Sequence, residues 1–107
     1  MKLEDVKQVA VIGTGMIGTG MAVLFTGHGY HTTIYALNDE LEKQSRAIYK
    51  RYFEELGEKG LVTPAQAAIC KKYLTYTRDY KDVRPADFVI ECAFEDLAVK
   101  QIGRAHV

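Results

Sequence analysis

The residues of this 107-residue chain whose types and spacing suit chemistry are Gly13-Thr14-Gly15-Met16-Ile17-Gly18, a G-x-G-x-x-G. The pattern follows a short apolar run, Gln8-Val9-Ala10-Val11-Ile12, and precedes a segment with apolar residues at helical spacing. In that context each glycine has its own task. Gly13 permits a tight turn, Gly15 lets a diphosphate approach a backbone that carries no Cβ, and Gly18 lets the helix pack closely on the strand. The free N–H groups of the first helical turn, at the positive end of the helix dipole, then hold the phosphates. Gly13, Thr14, Gly15, Met16, Ile17 and Gly18 are therefore the candidate cofactor-binding residues of the turn.

A nicotinamide dinucleotide also calls for an acidic residue about 20 residues further on, against the ribose hydroxyls. Here that position holds Ala36, followed by Leu37, Asn38 and Asp39. Loss of such a charged hydrogen bond costs about 1.5–3 kcal/mol, unless Asn38 or Asp39 substitutes from the loop. No Arg or Lys lies between Ala36 and Glu42, so a phosphorylated ribose gains no partner either. NAD is the expected cofactor, with Ala36 and Asn38 as further candidate positions. No nucleophile-elbow motif and no His/Cys/Asp/Glu grouping with metal-ligand spacing occurs. Cys70 and Cys92 read as free, buried structural thiols. His28 and His31 fall at the end of the first helix, opposite the expected nicotinamide.

The elements that must position these residues alternate. Residues 8–12 read as a strand buried on both faces, and residues 16–28 as a helix with Ile17, Met21, Leu24 and Phe25 at helical spacing and the small residues Gly18, Gly20 and Ala22 in its N-terminal half, closed by Gly27 and Gly29. Thr32-Thr33-Ile34-Tyr35-Ala36 is a second strand. A long helix follows, capped by Asn38, with Leu41, Ile48, Tyr52 and Leu56 as its buried stripe and Gly57 and Gly60 at its end. Thr63-Pro64-Ala65-Gln66 carries a cap, a first-turn proline and a capping-box glutamine, opening another helix whose Ala68 and Ile69 face inward, as does Leu74 beyond it. Residues 74–77 and 87–93 are strands, and a final helix begins at Glu95. The order implies an α/β fold: a Rossmann-type parallel sheet with flanking helices, incomplete in its second half. Tyr49, Tyr52 and Phe53 either cover an acyl ligand or pack the long helix on the sheet, and packing is the expected role. Residues 1–101 form the domain. Residues 102–107, Ile102-Gly103-Arg104-Ala105-His106-Val107, break the helical pattern, resemble a translated sequencing adapter, and are read as an artefactual tail.

Fourteen basic residues balance 14 acidic ones, for zero net charge, which argues against nucleic acid as a partner. Apolar residues make up 48% and charged residues 26%, a globular balance. No apolar run approaches the ~20 residues of a membrane span, and the charged N-terminus lacks a signal core, so a cytoplasmic location without membrane contact is expected.

One further stretch makes a resemblance specific. Asp87-Phe88-Val89-Ile90-Glu91-Cys92-Ala93-Phe94-Glu95-Asp96-Leu97-Ala98-Val99-Lys100-Gln101 resembles the D-x-V-I-E-A-x-x-E-x-x-x-x-K stretch of the 3-hydroxyacyl-CoA dehydrogenase family. The opening from Val9 to Gly18 and the helical insert with Lys59-Gly60-Leu61 are similar to that family as well, and the likeness spans roughly residues 6–101. It implies NAD-dependent oxidation of a 3-hydroxyacyl-CoA, nearest to 3-hydroxybutyryl-CoA, in fatty acid metabolism. It implies cofactor contacts for Glu95 and Lys100, a place for Lys59 near the acyl-CoA substrate, and a homodimer for the full-length protein. The family's catalytic His and Glu lie beyond the fourth strand, so this chain is expected to be a truncated fragment, inactive alone, with no catalytic residue of its own. Ala36 departs from the family. The alternatives are another two-domain β-hydroxyacid-type dehydrogenase and a non-catalytic nucleotide-binding module.

Overall fold

The computed structural model describes residues 7–92. Strand β1 (Gln8–Ile12) is central: it pairs in parallel with β2 (His31–Tyr35) on one side and β4 (Phe88–Glu91) on the other, while β3 (Leu74–Thr77) pairs in parallel with β2. The sheet order is β3-β2-β1-β4, the first half of a doubly wound fold. A strand flanked on both sides has no wet edge, so Val9, Ala10 and Val11 are all buried. β4 is half-buried throughout, because among the described residues it borders the sheet.

Helix α1 (Met16–Gly27) connects β1 to β2, and α2 (Asp39–Glu58) with α3 (Pro64–Lys71) connects β2 to β3. The starts of these helices follow from local chemistry. Asn38 caps α2, its side-chain oxygen accepting from the Leu41 N–H at 2.9 Å. Thr63 and Gln66 form the reciprocal capping box of α3, with Pro64 in the first turn. Gly60, at φ +72°, turns the chain after α2.

The inward faces differ from those that hydropathy marks. On α1 the buried residues are Gly18, Thr19, Ala22 and Thr26, whereas Ile17 and Leu24 are 41% and 52% exposed. Met21 and Phe25 pack at the margin of the core formed by Val9, Val11, Ala22 and Ile34. The reason is distance: α1 is wedged between sheet and α2, and only small side chains fit a helix held that close on both sides. On α2 the deepest residues are Ser45 and Tyr49, with Leu41, Ile48, Tyr52 and Leu56 half-buried around them. On α3, Ala67 and Cys70 are half-buried, while Ala68 is exposed and Ile69 is 55% exposed, the helix being turned relative to the expectation. Cys70 is thus only partly buried; Cys92 is buried, and both thiols are free.

A 3-10 turn (Tyr80–Asp82), which hydropathy did not announce, links β3 to β4. Its Tyr80 meets Tyr35 of β2, ring centroids 4.6 Å apart. Asp87 ties the start of β4 to that of β1, its carboxylate accepting from the N–H groups of Lys7 and Gln8 at 2.9 and 3.0 Å. The expected final helix from Glu95 and the tail at 102–107 lie outside the described residues.

Candidate dinucleotide site

The carboxyl ends of β1 and β2 meet the N-termini of α1 and α2, the crevice where open α/β sheets bind ligands. The three motif glycines divide there by what a side chain would meet. A Cβ on Gly13, at φ +137°, would lie 1.9 Å from the carbonyl oxygen of Cys92, so the turn must pass against β4. A Cβ on Gly18 would lie 2.4 Å from the carbonyl oxygen of Gly13, so the helix sits directly on the turn. A Cβ on Gly15 would meet nothing within 4 Å. Although glycine is a better N-cap than alanine, no contact among the described residues requires it at position 15. A ligand that approaches the bare backbone does.

Gly15 is also the N-cap of α1, and it brings no side-chain cap. No acidic residue lies in the first turn. Among the described residues, neither the N-cap nor the first turn supplies an anion to the helix's free N–H groups and the roughly half positive charge of its end. Met16 and Ile17, on that turn, are exposed, and Thr14 is half-buried. These features fit a diphosphate.

At the ribose end, Ala36 is wholly buried and its N–H donates to the Thr77 carbonyl at 2.9 Å, so its side chain offers no surface to a ligand. Asn38 spends its side-chain oxygen on the α2 cap. Asp39 remains, with a side chain 98% exposed and paired to Arg78. Arg78 also reaches Glu42 at 3.0 Å, and Arg46 reaches the same carboxylate at 2.7 Å. The Arg46 hydrogen bond, ahead of the other interactions, holds the Glu42 carboxyl below its ordinary range. Arg78 is the residue that linear spacing missed. It follows β3, and the parallel register that sets Thr77 opposite Tyr35 delivers it beside the loop after β2.

The structure does not bring Lys59 to this crevice. It is the C-cap of α2, about 30 Å along the helix from Asn38, and borders a groove with Leu24, Leu56 and Tyr73. His28 and His31 also lie at that far end, the ring of His28 hydrogen-bonded to the Leu24 carbonyl at 2.8 Å. A second groove, about 910 Å³, opens between α2 and α3 over Tyr49, Phe53 and Leu74, away from the glycine turn. Burial pushes the Tyr49 hydroxyl up to about 12, and Tyr49 bonds Thr26 at 2.8 Å, so it serves the helix contact. Glu95 and Lys100 lie outside the described residues.

The family profile described as "3-hydroxyacyl-CoA dehydrogenase, NAD binding domain" matches residues 8–104. The chain belongs to that family. Among relatives of this NAD-binding domain, the fatty acid oxidation complex subunit alpha of Pseudomonas entomophila is 33% identical over 97% of the chain, which spans 14% of that protein. Among solved structures, FadB2 of M. tuberculosis superposes with a TM-score of 0.81 at 29% identity, over 88% of this chain and 33% of that one. The (S)-3-hydroxybutyryl-CoA dehydrogenase of Ralstonia eutropha superposes with a TM-score of 0.80 at 26% identity, over 89% of this chain and 34% of that one. The chain thus spans about a third or less of the length of these relatives. The cofactor of the family is NAD, and the open cradle at Gly15 on an uncapped helix suits its diphosphate. No helix among the described residues is long and apolar enough to cross a membrane.

Proposed function

We propose that this chain supplies the NAD-holding part of an enzyme that oxidises a 3-hydroxyacyl-CoA, 3-hydroxybutyryl-CoA in the first instance, to the 3-oxo thioester. The observation that carries the reading is the open space at Gly15, where no atom of the described residues comes within 4 Å of the Cβ position, on a helix whose N-cap brings no side chain. NAD, when bound, accepts the hydride; the residues described here bind and orient it, and the turn's amides meet the charge of its diphosphate. In this reading the proton-accepting His, its Glu and most contacts to the acyl-CoA come from the length of the relatives that this chain does not span. The fragment is inactive alone, the longer protein is a cytoplasmic homodimer, and Lys59, Glu95 and Lys100 act at its ligand contacts.

Titration of NADH, NADPH and FAD into the chain, followed by nicotinamide or flavin fluorescence, tests the proposal. Saturable NADH binding with a preference over FAD is expected, with no turnover of 3-hydroxybutyryl-CoA. Equal affinity for all three dinucleotides would instead favour a non-catalytic nucleotide module, the reading that the missing acid at Ala36 supports.

A further inference from the structure

Thr19 and Ser45 are polar, yet both are wholly buried where α1 and α2 meet. The Thr19 hydroxyl donates to the Thr14 carbonyl at 3.1 Å. A carbonyl only accepts, so the single hydroxyl proton of Thr19 is used there. Ser45 Oγ, 2.6 Å from Thr19 Oγ1, must then be the donor in that pair. The Tyr76 hydroxyl, 2.6 Å from Ser45 Oγ, must in turn donate to Ser45. The result is a relay of one polarity, Tyr76 to Ser45 to Thr19 to the Thr14 carbonyl, running from β3 through α2 and α1 to the glycine turn. Hydrogen bonds in such a chain, buried at its Thr19–Ser45 link, polarise and strengthen one another.

The relay ends on a peptide whose other face matters. The peptide from Thr14 to Gly15 is planar and trans, so its carbonyl and its N–H point in opposite directions. With the carbonyl drawn inward by Thr19, the Gly15 N–H is aimed outward, on the exposed side of the turn. We infer that Thr19, braced by Ser45 and Tyr76, is a positioning residue that sets the Gly15 amide as a donor to the dinucleotide's diphosphate. The inference rests on the dinucleotide reading above and adds three residues that lie behind the turn.

The test compares a ligand with the diphosphate, ADP-ribose, and one without any phosphate, adenosine, on the full chain, by calorimetry and NMR titration. Thr19→Val keeps the shape and removes the hydroxyl; Thr19→Ser restores it. Thr19→Val is expected to weaken ADP-ribose about tenfold, the worth of one hydrogen bond to a charged group. Adenosine affinity should barely change, and Thr19→Ser should recover most of the loss. Ser45→Ala, one bond further out, should weaken ADP-ribose selectively but less. An unchanged ADP-ribose affinity in Thr19→Val, or an equal loss for both ligands, would overturn the inference; a merely structural role predicts the equal loss. Should Thr19→Val not fold, Ser45→Ala carries the same comparison, and equal loss there overturns it. If the parent chain binds ADP-ribose no better than adenosine, the dinucleotide reading itself fails and the inference with it.

Discussion

A glycine can be required by the protein or by its ligand, and the three motif glycines separate the two cases. Gly13→Ala combines a positive φ with a clash against the Cys92 carbonyl, and Gly18→Ala drives a methyl into the Gly13 carbonyl. Each should cost roughly 2–4 kcal/mol, from backbone strain, overpacking or both. Gly15→Ala meets open space, so it should cost about 1 kcal/mol or less, the price of a poorer N-cap. Its expected loss is in NADH affinity, at least about tenfold, because the methyl stands where the diphosphate must come. Thermal melts paired with NADH titrations check this. A Gly15→Ala chain with parental affinity would mean that the ligand does not use the hollow. The motif was legible because each glycine acts through its own backbone. Thr19, Ser45 and Tyr76 were not, since hydroxyl residues read as surface until packing shows them linked.

At the scale of elements, legibility tracked how local the cause was. Strand and helix starts depend on a few adjacent residues, so Asn38, the Thr63–Gln66 box and the glycine turns marked them correctly. Helix orientation depends on what lies across the contact. The close packing of α1 reserves its inner face for Gly18, Thr19, Ala22 and Thr26, and hydropathy points instead to the larger residues beside them. Arg78 arrives beside Asp39 through strand pairing, which linear spacing does not encode. The balance of causes also differs between helices. α3 has eight residues and none of them is buried, so its capping box carries much of its stability. Thr63→Ala should therefore cost about 1 kcal/mol. The loss should appear as faster amide exchange across Pro64–Lys71 while NADH affinity stays unchanged. Uniformly faster exchange over the whole sheet would show that α3 does not open as a separate unit.

For the whole molecule the balance of 14 basic and 14 acidic residues leaves stability to particular pairs rather than to net charge. Among the described residues, two carboxyls contribute to its acid limb. Glu42 is held below its ordinary value chiefly by the Arg46 hydrogen bond, and Asp87 by the N–H groups of Lys7 and then Gln8. Asp87 matters beyond its own bonds, because it joins β4 to β1 across 79 and 80 residues of sequence. A carboxyl whose folded pKa is depressed favours the charged form in the fold, so the unfolded chain takes up protons first as pH falls. The stabilisation is complete above the unfolded value, 3.8 for Asp87, and is lost as pH drops through the lower folded value. Melting temperatures of the parent chain should hold near neutrality and fall steeply below about pH 4. Asp87→Asn removes the charge at every pH, so its curve should lie below the parent's at pH 6 and meet it near pH 2. Parallel curves over the whole range would show that the Asp87 charge does not govern the acid limb, and coincident curves that its bonds to Lys7 and Gln8 are not what holds the fourth strand.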